Sequence, residues 1–468
     1  MKVLAIDQGT TGTKAFTYDE TGQFANVFSA EVTQHLPKPG WVEHDGLELM
    51  SHVEAAIVKA GKVDAIGLAN QGETLLAWDK RSGRPLYNAI VWQDDRSKDF
   101  CAELKAQGAE ATTKNTAGLP LDPYFSASKF RWILDNVPEA KELAAQGHLH
   151  LGTTDAYFLE RLSGQFATDV TTASRTSLMS LDTLQWDQEL CSLFGVPVEC
   201  LPEIKPTTGP FGDVAASMVD QQAALYGHGC TRAGDAKITF GTGAFALALV
   251  GPTRPKSDDS GLLPTVAWKI GSAPAEYAVD GGVYNAASAV NWARGLGLFK
   301  DYEEINTFEK PSALSRGLVF VPALSGLAAP HWDRNAAGLW IGMGLDTTRQ
   351  DMMQSLLEGV ALRAAEVMEA MARHGARGIS ISIDGGLSRN PYFGQFLANA
   401  LSRRVSVTAS ADLTGLGVAR MAMRGLGIVD LPPLPRASQQ FVAVDPLPSA
   451  LLSRFGIAVL RSKGWKAF

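Results

Sequence analysis

At 468 residues the chain is too long for one compact core, so two to four domains are expected. With 46% hydrophobic and 19% charged residues it reads as a soluble globular protein, and a formal net charge of −7 argues against nucleic acid as a partner. Cys101, Cys191, Cys200 and Cys230 form no Cys-x-x-Cys pair and no His completes a zinc-site spacing with them, which points to reduced thiols in a cytoplasmic protein and away from a zinc site.

The first element is an apolar strand, Val3-Leu4-Ala5-Ile6. It runs into Asp7 and then a turn of Gly9-Thr10-Thr11-Gly12-Thr13 that ends at Lys14. Glycines permit the sharp turn, and the amides and hydroxyls around it can face phosphate oxygens. Asp7 could hold a metal ion and Lys14 could offset phosphate charge. The spacing is not that of a P-loop, and an ordinary tight turn would read the same way. The run before Asp7 is too short for a signal-peptide core, and no apolar run nears the roughly 20 residues of a membrane span, so no membrane partner is expected.

Strand-like runs at residues 3–6, 65–68 and 75–78 alternate with helical ones such as residues 46–59, which indicates an α/β architecture. Asp220-Gln221-Gln222-Ala223-Ala224 opens a helix that ends near His228-Gly229. Asp220 could merely cap that helix, or act as a general base whose anionic form the helix N-terminus stabilises. The second half opens with a copy of the first motif: Lys237-Ile238-Thr239-Phe240, a Gly241-Thr242-Gly243 turn, then Ala244-Phe245-Ala246-Leu247. A duplicated domain with a nucleotide clamped between its halves would have this form. A third junction runs from Ile379 through Asp384 to Gly385-Gly386, and Asn390-Pro391-Tyr392-Phe393 then begins a helix. From Asp351, the residues Met352, Met353, Leu356, Leu357, Val360, Val367, Met368 and Met371 follow helical spacing up to a stop at Gly375. Pro432-Pro433-Leu434-Pro435 ends the second core and starts an irregular tail, whose last helix, residues 449–463, docks back. The divisions are thus 1–229, 230–430 and 431–468.

Together the three strand-to-glycine junctions resemble the phosphate and adenosine loops of the sugar-kinase, actin and Hsp70 superfamily. Tyr124-Phe125-Ser126-Ala127-Ser128-Lys129-Phe130-Arg131-Trp132-Ile133-Leu134-Asp135-Asn136 is similar to one signature of the FGGY carbohydrate kinases. Gly338-Leu339-Trp340-Ile341-Gly342-Met343 through Asp351-Met352 and Ser355-Leu356-Leu357-Glu358 is similar to the other, with Leu356 slightly off pattern. Tyr87-Asn88-Ala89-Ile90-Val91-Trp92-Gln93-Asp94, Ala173-Ser174-Arg175-Thr176 and Gly326-Leu327-Ala328-Ala329-Pro330-His331-Trp332-Asp333 resemble the glycerol kinases within that family. The resemblance implies two ribonuclease-H-like α/β domains with an interdomain cleft. It also implies ATP and Mg²⁺ as cofactors, and a small polyol or open-chain sugar as substrate. Should the chain self-associate, a homodimer is the expected assembly, because two-fold dimers are the commonest soluble oligomers.

Site residues carry over position by position. The resemblance makes Asp220 the base and places Glu73, Trp92, Tyr124, Gln221 and Phe245 with it around the acceptor. Thr10, Thr11 and Lys14 would face phosphates from one side and Gly241 and Thr242 from the other, with Asp7 on Mg²⁺ directly or through water. Gly386 and Asn390 would meet the adenosine. There are four departures. Lys14 stands for an Arg and loses bidentate geometry. Ala287 and Asn291 stand for Gly and Gln on the nucleotide side. Gly72 stands for the Arg that contacts glycerol, and the lost donors and volume imply an empty corner that favours a four- or five-carbon polyol over glycerol. Residues 206–219 are short where a Gly-rich inhibitor loop would sit, which implies no fructose bisphosphate inhibition. The alternatives are glycerol itself as acceptor, a ketose kinase of xylulokinase type, and a non-catalytic ATP-binding switch.

Overall fold

The computed structural model describes residues 1–258, 260–378 and 380–467, so Ile379 of the third junction lies outside the described residues. In the first lobe, strand Lys2–Gln8 turns back through Gly12–Asp19 and Phe24–Glu31 as an antiparallel meander. On its other edge come Ala65–Asn70 and then Val214–Val219, both parallel, completing a five-stranded sheet. Val3, Leu4, Ala5 and Ile6 are all fully buried, because both faces of the central strand are covered. That explains a continuous apolar run in place of alternation.

The second lobe repeats this order. Ala236–Phe240 takes the central place, Ala244–Gly251 and Glu276–Val283 return antiparallel, and Ser380–Asp384 and Arg404–Val407 follow in parallel. Leu263–Trp268 and Gln439–Phe441 extend the two edges to seven strands. The fold is therefore two α/β lobes built on one topology. Asp7, Asn70, Val219, Phe240 and Asp384 all fall at the carboxyl ends of central or parallel strands, where open α/β sheets bind ligands.

Helix Arg349–Arg373 starts before Asp351 because Thr348 caps it, in a reciprocal capping box with Asp351. Its Met353, Leu356, Val360, Met368 and Met371 are buried in the second core. The tail after Pro435 is not irregular throughout. Gln439–Phe441 pairs with Arg404–Val407, and the Phe441 ring occupies the space that a side chain at Gly394 would need. So short a strand has too few residues for a visible alternation. Helix Ser449–Ser462 docks through Phe455, Ala458 and Val459. Among the described residues no helix is long and apolar enough to cross a membrane. All four cysteines are free and buried, and burial pushes the Cys101, Cys191 and Cys200 thiols up to about 11.

Helix Leu413–Gly425 belongs by chain order to the second half, yet it packs on the first sheet and against helix Asp220–Gly227. The two helices meet backbone to backbone. A Cβ at Gly417 would overlap the Ala223 carbonyl, and one at Gly227 the Leu413 carbonyl. Gly417→Ala should therefore force the helices apart, costing about 1–3 kcal/mol or more. Urea unfolding checks this: the midpoint should fall, and an unchanged midpoint would show that the crossing tolerates a methyl group.

Candidate active site

The turn after strand Ala65–Asn70 builds one wall of the acceptor site. Glu73 sits at φ +58°, a left-handed conformation that is costly for a residue with a side chain. The Thr74 amide donates to the Gly72 carbonyl, and Ser126 Oγ donates to the Glu73 carbonyl. This turn aims a buried carboxylate into a cavity of about 210 Å³, lined by Gly72, Glu73, Trp92, Tyr124, Asp220, Gln221 and Phe245 together with Thr10, Arg175 and Asp280. The acceptor-side residues expected from sequence thus line one space. Trp92 and Tyr124 meet edge to face at 5.5 Å and offer aromatic surface to a carbon backbone.

Asp220 is the first residue of its helix, following directly on strand Val214–Val219. Val219 occupies the cap position, so Asp220 is not the helix cap; its Oδ1 accepts from the Gln221 amide at 2.7 Å. The expectation that the helix end keeps Asp220 anionic needs correction. Loss of water in the cleft and the neighbouring Glu73 charge push its carboxyl up to about 7, against the pull of the Gln221 amide, Lys237 and Arg175.

Three residues of the site escaped the sequence reading of roles. Arg175, buried just after a short helical turn, donates from Nε to Glu73 Oε1 at 2.6 Å and from Nη2 to Asp280 Oδ2 at 3.2 Å. Its motif is visible in sequence, but its partners are about a hundred residues away. Asp280 enters from strand Glu276–Val283. Lys237, fully buried, donates from Nζ to Gln221 Oε1 at 2.6 Å and to Thr239 Oγ1 at 3.1 Å. Burial lowers its pKa. A Lys inside an apolar strand was the available signal. The corner beside Gly72 also needs correction. A Cβ there would lie 2.7 Å from Val219 Cγ2, so Val219 crowds the space, and Arg175 brings a guanidinium to Glu73 from another element.

On the nucleotide side the expected residues divide. Thr10 faces the acceptor cavity, where its Oγ1 accepts from Trp92 Nε1 at 2.9 Å. Asp7, Thr11 and Lys14 line a separate open cavity of about 810 Å³ with Asp412. Lys14 Nζ pairs with Asp412 at 2.8 Å, tying the first loop to the second lobe, and must exchange that partner to meet a phosphate. Burial, Asp220 and Asp412 push Asp7 up to about 7, against Lys14. Gly241 and Thr242 accept from the amides of Ala286, Ala287 and Ser288, so the Ala287 amide is already used by the loop. Asn291 accepts from Tyr302 Oη at 2.9 Å. Gly386 is exposed, with nothing within 4 Å of an added Cβ, which leaves its backbone open to a ligand. Asn390 differs from expectation. It caps helix Pro391–Leu401 through Phe393 N and donates to Ile305 O and Asn306 Oδ1, because Asn before a first-turn Pro is a strong helix start. Its side chain is directed inward.

Residues 2–227 match the model of the FGGY family of carbohydrate kinases, N-terminal domain, and residues 236–426 match the C-terminal domain of the same family. The chain belongs to the FGGY family of carbohydrate kinases. Among its FGGY relatives is a glycerol kinase from Alkalilimnicola ehrlichii, 39% identical over 99% of this chain and 98% of that one. Another, from Thermus brockianus, is 39% identical over 99% of both. A crystal structure of Plasmodium falciparum glycerol kinase with ADP superposes with a TM-score of 0.90 at 31% identity, covering 98% of each chain.

Asp220→Asn separates catalysis from stability in this FGGY enzyme. A carboxyl raised from 3.8 to about 7 favours the fold fully below its unfolded pKa and loses that contribution as pH rises through 7. The variant should therefore melt higher than the parent at pH 8 and alike near pH 4. Turnover should fall by about 10²–10⁴-fold. Parent kcat/KM should decline as pH drops below about 7, as the base becomes protonated. Thermal melts and a pH–rate series check both signs, and an unaltered rate in the variant would remove Asp220 from the chemistry.

Proposed function

We propose that this protein transfers the γ-phosphoryl group of ATP to a terminal hydroxyl of a small polyol, with four or five carbons preferred over three. The observation that carries the reading is the 210 Å³ cavity, in which Asp220 stands among hydroxyl-binding groups and beyond which a second cavity opens past Tyr124, Phe245 and Asp280. Glu73 and Gln221 supply polar contacts, Trp92, Tyr124 and Phe245 cover carbon, and Asp220 takes the hydroxyl proton as the oxygen attacks phosphorus. The kinship with glycerol kinases supports the polyol class.

The nucleotide would lie across the cleft, its phosphates between Thr11 and Lys14 on one side and Gly241 and Thr242 on the other, its adenosine near Gly386. Asp7 fits Mg²⁺: it is a carboxylate in a polar cavity, opposed only at a distance by Lys14 and crowded by two other acids. One carboxylate with room for water and phosphate oxygens is the usual Mg²⁺ donor set. The ion would offset phosphate charge. Closure of the lobes would exclude water, which competes with the substrate hydroxyl.

Coupled ADP release with Mg-ATP over glycerol, tetritols, pentitols and pentuloses tests the reading. A tetritol or pentitol should give the highest kcat/KM, by tenfold or more. Glycerol in first place would make this a glycerol kinase proper, a pentulose a ketose kinase, and no substrate-dependent turnover a nucleotide switch. Because Val219 crowds position 72, Gly72→Arg alone should lower all activities, whereas Gly72→Arg with Val219→Ala should move preference toward glycerol. Fructose bisphosphate should leave the rate unchanged, and strong inhibition by it would show an inhibitor site outside residues 206–219.

A further inference from the structure

The acceptor cavity does not end at Phe245. A second cavity, of about 110 Å³, shares Tyr124, Phe245 and Asp280 with the first and continues between the lobes toward Tyr284 and Arg334. We propose that Asp280 is an acceptor-binding residue and that this second compartment receives the distal hydroxyls of a polyol; the proposal rests on the polyol-kinase reading above.

Asp280 stands where the two compartments join. Its side chain retains 21% of its exposure, and among the described residues its only side-chain partner is Arg175, through Oδ2. Oδ1 is left with its acceptor capacity, and an ionised carboxylate accepts strongly from hydroxyls. Deeper in, Tyr284 Oη is buried without a hydrogen-bond partner, and the Arg334 guanidinium lies 5.4 Å over the same ring. A distal hydroxyl is the kind of group that would satisfy both Asp280 and Tyr284, while the Tyr124 and Phe245 rings cover the carbons between. A three-carbon acceptor held at Asp220 and Glu73 stays within the first compartment.

The bland possibility is that Asp280 only steadies Arg175 against Glu73. Chain-length dependence separates the two roles. Asp280→Asn and Asp280→Ala, each checked by circular dichroism melting, are compared with the parent on glycerol, a tetritol and a pentitol. We expect KM to rise tenfold or more for the four- and five-carbon polyols, and by a several-fold smaller factor for glycerol. Tyr284→Phe should shift KM in the same direction by a smaller factor. Isothermal titration of the pentitol into nucleotide-free enzyme should show the same loss of affinity. An equal loss on glycerol and on longer polyols would overturn the assignment and leave Asp280 as a positioning residue for Arg175. A parent that turns over tetritols with KM untouched by Asp280→Ala would overturn Asp280 as an acceptor-binding residue and leave the chain-length reading standing. A parent confined to glycerol would overturn both the compartment and the chain-length reading on which it stands.

Discussion

Everything in the cleft depends on two helices meeting without side chains between them. Gly227 lies against the Leu413 carbonyl and Gly417 against the Ala223 carbonyl, which joins the helices Asp220–Gly227 and Leu413–Gly425 at backbone distance. Such contact tolerates little sliding, because packed interiors have no slack for even a methyl group. It sets the start of one helix, Asp220, beside the first loop and the start of the other, next to Asp412, across from it. Lys14 then spans the remaining gap to Asp412. The contact between the two helices is thus decided by glycine, and Asp220 and Asp412 sit at their starts.

Those acids are crowded. Asp7, Glu73 and Asp220 are each raised by loss of water, and Asp220 raises Asp7 in turn. A carboxylate in such surroundings is costly to ionise unless something answers it. Arg175 answers Glu73 and Asp280 by direct ion pairs, and Lys237 answers Asp220 at longer range while holding the Gln221 amide. Asp7 is opposed only by Lys14. A divalent cation and a nucleotide phosphate would complete the balance there. The left-handed Glu73 carries a cost of its own: a locally unfavourable conformation kept because it aims a carboxylate.

Much of this was legible in the chain. The strand-to-glycine junctions at Gly9, Gly241 and Gly385 are local chemistry, written in consecutive residues, and they led to the duplicated topology, while the acceptor group around Asp220 came from the family resemblance. What could not be read was whatever depends on which side chain meets which across long separations. The resemblance placed Thr10 on a phosphate; in the structure its Oγ1 accepts from Trp92 Nε1, which leaves its O–H to donate. The resemblance placed Asn390 on the nucleotide; in the structure its side chain caps helix Pro391–Leu401. Arg175 and Lys237 carried only a motif and an out-of-place charge as signals and Asp280 none, since the partners that give them roles, Glu73, Gln221 and Arg175, lie elsewhere in the chain.

The amino-acid sequence by itself determined the element order, the repeated half and the α/β class, because these follow from apolar periodicity and glycine placement. Only the tertiary structure decided the shape of the acceptor space: that Val219 crowds position 72, that a guanidinium reaches Glu73 from residue 175, and that the cavity continues past Phe245 to Tyr284. The physical reason is that volume and charge in a cleft between two lobes are sums over residues far apart in the chain, and such sums exist only once the backbone has closed.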